Sequence, residues 1–210
     1  MITYSITRAL AEIKLLKKRY PKVLENAVFI DFKKNSADHG AKTFASPETI
    51  KNNASASYDS ATSILNRIVR IKQLIDASNA VTKVTIAGKE MTVQEAINRK
   101  TSIELERQLL ATMRLQYNNA LASVSNANNK VEIEIERKLD AMASSEADKK
   151  TEAMLAFANN YRESNQWALV DPLDLKAKIE KLEEEIDNFE SEVDYVLSTS
   201  NSITTIDITD

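Results

Sequence analysis

The sequence contains no cysteine, one histidine and two glycines among 210 residues, and each absence excludes a kind of site. Without cysteine there is no disulfide, thiolate nucleophile, iron–sulfur cluster or cysteine-bearing zinc site, and one histidine cannot build a multi-histidine metal centre. Gly40 and Gly88 are too far apart for the loops that bind ATP or dinucleotides, which need several glycines within about eight residues. We therefore expect no cofactor, no metal and no enzymatic activity.

Long apolar runs are also lacking. No stretch approaches the roughly 18 apolar residues that span a bilayer, and the N-terminal Met1–Tyr4 lacks the basic and apolar parts of a signal peptide. These features predict a cytoplasmic protein without a membrane span.

Charge is distributed unevenly along the chain. The net charge is −3, but residues 171–210 carry twelve acidic residues and three lysines, whereas residues 1–170 carry a net charge of +6. Two interpretations remain open: the acidic helix packs near a basic one within the fold, or a basic surface is left for an anionic partner.

Apolar residues recur every three or four positions over most of the chain, which predicts a mainly α-helical fold with small β elements. Ser46 before Pro47 marks one helix start, and Thr92 with Glu95 forms a capping box at another. We expect one elongated domain with five parts: an N-terminal helix and short strand (1–32, the strand being Val28–Phe32), a long helical hairpin (47–127), a helical but ambiguous segment (130–165), a C-terminal coiled-coil helix (171–197) and a tail (198–210).

The long hairpin would pair its two helices in antiparallel fashion. A β-prone stretch, Val81–Glu90, separates them and predicts a small β-hairpin that turns at Gly88. A following helix of about 35 residues would be roughly 50 Å long, which favours an elongated antiparallel bundle.

The final helix has apolar residues spaced alternately four and three apart, as in a coiled-coil seam. This seam predicts a homo-oligomer joined through the helix, or through the β-prone tail adding to a sheet edge or to a neighbouring subunit. The seam residues are Leu175, Ile179, Leu182, Ile186, Phe189, Val193 and Val196.

Several segments together carry a family resemblance: the first helix ending near Asn26–Val28, the run Leu74–Thr82, the stretch Gly88–Arg99, and Val170–Asp171 followed by a long final helix from Leu175. The chain resembles an uncharacterised family of bacterial and phage helical proteins whose members are sometimes labelled septicolysin. The resemblance implies a helical hairpin with small β elements. The toxin label is not carried over, because charges lie between the apolar stripes of the longest helices.

A basic cluster is the candidate binding site. Arg67 and Arg70 precede the Gly88 turn, and Arg99 and Lys100 follow it, so antiparallel pairing would bring them together. Arginine at such a place binds phosphate through two parallel hydrogen bonds, whereas the alternative is pairing with Glu95, Glu104 and the acidic final helix. His39, beside Asp38, has no nucleophile near it in sequence and is expected to be exposed.

Two functions remain open. The first is a non-enzymatic helical structural or interaction protein that self-associates, in host cytoplasm or in a virion if it is phage-encoded, with other protein partners also compatible. The second is an oligomeric binding module for an anionic ligand, either a nucleotide signal or nucleic acid backbone, held by Arg67, Arg70, Arg99 and Lys100.

Overall fold

The computed structural model describes residues 2–143 and 152–208. Within these residues five helices dominate, and four short strands form two antiparallel pairs. The elements are β1 (Ile2–Ser5), α1 (Ile6–Glu25), α2 (Pro47–Val81), β2 (Lys83–Ile86), β3 (Lys89–Thr92), α3 (Val93–Met142), α4 (Glu152–Asn165), α5 (Leu175–Ile203) and β4 (Thr205–Ile208). The predicted mainly α class with small β elements is confirmed.

The described chain forms two compact units. One comprises residues 1–101 with 188–210, and the other comprises residues 102–187. Among the described residues, no helix combines the length and the apolar character needed to cross a bilayer.

The core of the first unit lies between α1, α2 and the β1–β4 pair. Strand β4 pairs with β1 so that Ile2 faces Ile208 and Tyr4 faces Ile206. The tail thus adds to a strand of its own chain and seals an apolar cluster, one of the two placements that its β-prone sequence predicts. The buried members are Ile6, Ala9, Ile13, Leu16, Ile68, Ile71, Ile75, Ile206 and Ile208.

Helix starts follow the predicted capping chemistry. Ser46 Oγ accepts a hydrogen bond from Thr49 N at 3.2 Å, with Pro47 in the first turn. Thr92 N donates to Glu95 Oε2 at 2.7 Å while Glu95 N donates to Thr92 Oγ1 at 3.1 Å, which completes the predicted capping box. Pro21 lies inside α1, which continues as one helix to Glu25.

The small β-hairpin predicted between the two long helices is confirmed. Strands β2 and β3 pair with Ile86 opposite Lys89. Ala87 and Gly88 connect them with φ of 51° and 72°, the pair of positive values that a type I′ turn requires.

The second unit is held by the apolar stripes of α3 and α5. Leu110, Ile179 and Ile186 are buried together, with Ile103, Met113, Tyr117, Leu175 and Leu182 packed around them. The apolar clusters therefore place α2 against α1 in the first unit and α3 against α5 in the second. Periodicity identifies the apolar face of a helix but not the helix that covers it.

Two predicted segments take a different form. Val28–Phe32 is not a strand: it lies in the loop between α1 and α2, because its β-prone side chains have no neighbouring strand to pair with. The ambiguous Val131–Glu136 is helical within α3, which buries Ile135 and leaves Ile133 half exposed, as opposite faces of a helix require. The part of the 130–165 segment at 144–151, and residues 209–210 of the tail, lie outside the described residues.

Candidate interaction surface

The arginine at the start of the predicted basic cluster contacts an acid of a neighbouring helix. Arg67 Nε donates to Glu12 Oε1 at 2.5 Å, and only 30% and 17% of the two side chains are exposed. The Glu12 carboxylate of α1 thus partly neutralises the Arg67 guanidinium, and the ion pair links the two helices whose apolar faces pack together.

The cations that follow the Gly88 turn contact α5. The Arg99 guanidinium lies 4.4 Å from the centre of the Phe189 ring, and Lys100 forms an ion pair with Asp194. Glu192 of the same helix accepts a hydrogen bond from Ala87 N at 2.7 Å, which fixes the hairpin turn. Lys100 therefore pairs with the acidic final helix, as one of the two sequence interpretations proposes.

Arg70 is exposed on α2. Arg67 forms an ion pair with Glu12, Arg99 lies over an aromatic ring, and Lys100 forms an ion pair with an aspartate. The residues of the predicted cluster therefore contact different parts of the fold. No single anion pocket is formed by the four residues in the described structure.

An exposed positive surface lies on α1. This helix has six basic and two acidic residues. Lys14, Lys18 and Lys22 follow one another at intervals of four, so they lie on one face about 6 Å apart along the helix axis. We call the set Lys14, Lys17, Lys18, Arg19 and Lys22 the α1 basic face; all five are exposed, and within residues 2–143 and 152–208 none has a carboxylate partner.

The α1 basic face opposes helix stability. Like charges four residues apart on a helix repel by a few tenths of a kcal/mol per pair. The helix tolerates this repulsion because its other face is anchored by Ile6, Ala9, Ile13 and Leu16. Leu15, which is 48% exposed, lies one turn before Lys18 and Arg19 and adds apolar area to the charged surface. The sequence run Lys14 to Lys22 could have identified this face, but the sequence reasoning centred on the Gly88 turn.

A complementary acidic surface lies on α5. Glu180, Glu184 and Asp187 recur at intervals of four and three on the side of the helix away from Ile179 and Ile186. Glu184 and Asp187 are exposed, and no cation among the described residues pairs with either. We call Glu180, Glu184 and Asp187 the α5 acidic face. Lys176 lies 3.9 Å from Glu180, a distance at which an exposed pair contributes little.

The residues of the predicted oligomer seam are buried to different degrees. Ile179 and Ile186 are buried in the second unit against α3, and Leu175 and Leu182 pack beside them. Phe189 and Val193 are buried in the first unit at 0% and 2% exposure, and Val196 is partly buried. Four of the seven seam residues are therefore buried within the chain, and Leu175, Leu182 and Val196 are partly exposed.

The loop between α1 and α2 is ordered around Asp31. Its carboxylate accepts hydrogen bonds from Phe32 N, Lys42 N, Thr43 N and Thr43 Oγ1, at distances of 2.6–3.0 Å. The Thr43 hydroxyl, followed by these backbone amides, lowers the pKa of Asp31 from 3.8 to about 2. Gly40 lies so close to Asp31 that a Cβ there would overlap the carboxylate.

His39, the single histidine, lies in the loop between α1 and α2. His39 Nδ1 lies 3.2 Å from Gly40 O, and its ring is 6.0 Å from that of Phe44. Among the described residues, no three His, Asp or Glu side chains converge as a metal site would require. In the acidic run of α5, Glu183 pairs with Arg114 of α3.

Comparison with known proteins adds no relative. No family model matches the chain, and neither the curated proteins nor the solved structures include a match. The resemblance to the helical family labelled septicolysin stays a prediction.

Proposed function

We propose that the protein is a non-enzymatic helical interaction protein that self-associates, and that the contact joins the α1 basic face of one copy to the α5 acidic face of another. The observation that carries the proposal is the exposure of Lys14, Lys18 and Lys22 without a carboxylate partner in the described residues. The proposal keeps the predicted cytoplasmic or virion location and the predicted phage or bacterial origin.

Electrostatics favour a second copy over nucleic acid as the anionic partner. The chain has a net charge of −3, so a polyanion that approaches α1 is also repelled by the acidic end of the chain. Proteins that bind nucleic acid through phosphate contacts are typically basic overall. A second copy carries its own acidic face, and the two faces are matched in spacing: three charges along about two turns of each helix.

The proposal differs from the seam hypothesis in its response to salt. An apolar seam would hold subunits together at high ionic strength, whereas a contact between exposed charges weakens as the Debye length falls from about 10 Å at 0.1 M to about 3 Å at 1 M. The alternative function, binding of an anionic ligand, is less well supported. Three of its candidate residues, Arg67, Arg99 and Lys100, already contact Glu12, Phe189 and Asp194, respectively.

Charge reversal on each face tests the contact. The first variant changes Lys14, Lys18 and Lys22 to Glu, and the second changes Glu180, Glu184 and Asp187 to Lys. Each variant alone repels itself and is expected to be monomeric by analytical ultracentrifugation. Mixed in equal amounts, they restore complementary faces and are expected to associate.

A matched control separates this contact from a general effect of charge. Lys34, Lys51 and Lys72 are also exposed, and their change to Glu alters the net charge equally. This control is expected to associate as the unmodified protein does. The proposal fails if the α1 variant associates like the control, or if the two charge-reversed variants stay monomeric when mixed.

A further inference from the structure

A groove in the second unit lies between α3 and α4. It has a volume of about 480 Å³, within the range of roughly 300–1,000 Å³ typical of small-molecule sites. Ser123, Asn126, Lys130 and Glu134 line it from α3, Asn165 lines it from α4, and Trp167 lines it from the segment that follows α4. We call it the α3–α4 groove.

Trp167 is the only tryptophan of the chain and is held in place although 63% of it is exposed. Asn128 Nδ2 donates to Trp167 O at 3.0 Å, and Trp167 N donates to Asn128 Oδ1 at 2.7 Å. This reciprocal pair fixes the backbone that carries the indole. An exposed aromatic ring beside a groove, carried by a backbone held in position, is a surface on which a flat, partly apolar ligand can stack.

The polar side chains of the groove supply both donors and acceptors. Tyr161 Oη donates to Glu134 Oε2 at 2.6 Å, which leaves the other carboxylate oxygen of Glu134 as an acceptor. Asn165 Nδ2 donates to Tyr161 O, so its Oδ1 is available to accept, and Asn126 offers a further amide. Ser123 and Lys130 add donors, so the site suits a ligand whose own groups both donate and accept.

The charges near the groove balance, which disfavours a phosphate ligand. Lys130 and Glu134 carry opposite charges within it. Arg162 donates through Nε and Nη2 to the two carboxylate oxygens of Glu132 at 2.6 and 2.7 Å, and Lys138 lies 4.9 Å from the centre of the Tyr161 ring. These two cations therefore have other partners, and among the described residues that line the groove the single lysine is balanced by a single glutamate.

We propose that the α3–α4 groove is a binding site for a neutral saccharide, whose pyranose ring stacks on Trp167 and whose hydroxyls bond to Asn126, Glu134 and Asn165. A pyranose has an apolar C–H face for the indole and a rim of hydroxyls that donate and accept. A nucleoside could stack on the same ring, but the polar groups of its base all lie in one plane. The polar side chains of the groove come from two helices, which suits the hydroxyls around a pyranose ring better.

Trp167 fluorescence reads out binding directly, because no other tryptophan contributes. The probes are cellobiose, maltose and diacetylchitobiose at micromolar to millimolar concentration, with adenosine as the contrasting ligand. We expect at least one disaccharide to give a saturable change in emission and adenosine to give none. Saturable binding of adenosine alone, or no saturable change with any disaccharide, would overturn the proposal.

Variants connect the signal to the groove. By calorimetry, Trp167→Ala and Asn165→Ala are each expected to weaken disaccharide binding at least about tenfold. Asn128 does not line the groove but holds the backbone of Trp167. Asn128→Ala is therefore expected to let the indole move more freely, which lowers both the fluorescence anisotropy of Trp167 and the affinity for the disaccharide. Leu155→Ala, at a side chain of α4 that is 58% exposed and does not line the groove, is the control and is expected to bind normally. Equal binding by Trp167→Ala and the control would contradict the stacking role.

Discussion

Arg67 and Glu12 join α2 to α1 through an ion pair with Nε and Oε1 2.5 Å apart. The pair links the two helices that form the apolar cluster of the first unit, so Arg67 has an acidic partner within the fold. Lys14, Lys18 and Lys22, which have no carboxylate partner among the described residues, lie on the opposite side of α1 from that cluster.

We expect the Arg67–Glu12 ion pair to give a measurable coupling energy in a double-mutant cycle. Glu12→Gln and Arg67→Gln should each lower the free energy of unfolding by about 1 kcal/mol, since the pair is partly shielded from water. The double variant should lose less than the sum of the two. Urea denaturation of all four proteins measures this coupling, and strict additivity would show that the pair contributes nothing.

Phe189 tests whether the seam is part of the core. Its ring is fully buried and lies under the Arg99 guanidinium, so Phe189→Ala should destabilise the chain by about 3–5 kcal/mol through loss of burial and a cavity. Tyr195→Ala, on the same helix at 75% exposure, is the control and should change stability by less than about 0.5 kcal/mol. Similar small effects in both variants would place Phe189 outside the core.

The β2–β3 turn makes two predictions of opposite sign. Gly88→Ala places a side chain in the left-handed region and should cost about 1 kcal/mol, whereas Ala87→Asn favours the type I′ turn and should raise stability. Thermal unfolding followed by circular dichroism measures both changes. Shifts of the same sign for the two variants would contradict the assigned turn.

Asp31 predicts a titration at unusually low pH. Its folded pKa of about 2 lies below the unfolded value near 4, so the carboxylate's contribution to stability is complete above about pH 4 and is lost as pH falls through about 2. The Thr43 amide, observed by NMR, should shift with a midpoint near pH 2, and in Thr43→Val the Asp31 midpoint should rise. A midpoint near 4 in the unmodified protein would exclude the hydrogen-bonded loop.

The sequence predicted local structure better than helix partners. Helix starts at Ser46 and Thr92 and the turn at Gly88 depend on neighbouring residues, and they appear as expected. Which helix packs against a given apolar stripe depends on residues far apart in the chain, such as Leu110 and Ile179. The periodicity of one helix does not show which other helix it contacts.

The candidate site shows the same limit. Arg99 and Lys100 lie near a turn, and their sequence leaves open whether they face an anionic ligand or the acidic final helix. In the fold, Phe189 and Asp194 of α5 contact them. Charge runs within one helix are more directly readable, since Lys14, Lys18 and Lys22 share a face from their spacing alone. Whether such a run is neutralised by a distant segment can be read only from the fold.

The most direct test of the account is the mass of the unmodified protein in solution, measured by light scattering at about 0.05 M and about 1 M salt. The account predicts an oligomer at low salt that dissociates at high salt, because α1 and α5 join copies through exposed charges. A monomer at both concentrations, or an oligomer that resists high salt, would contradict it.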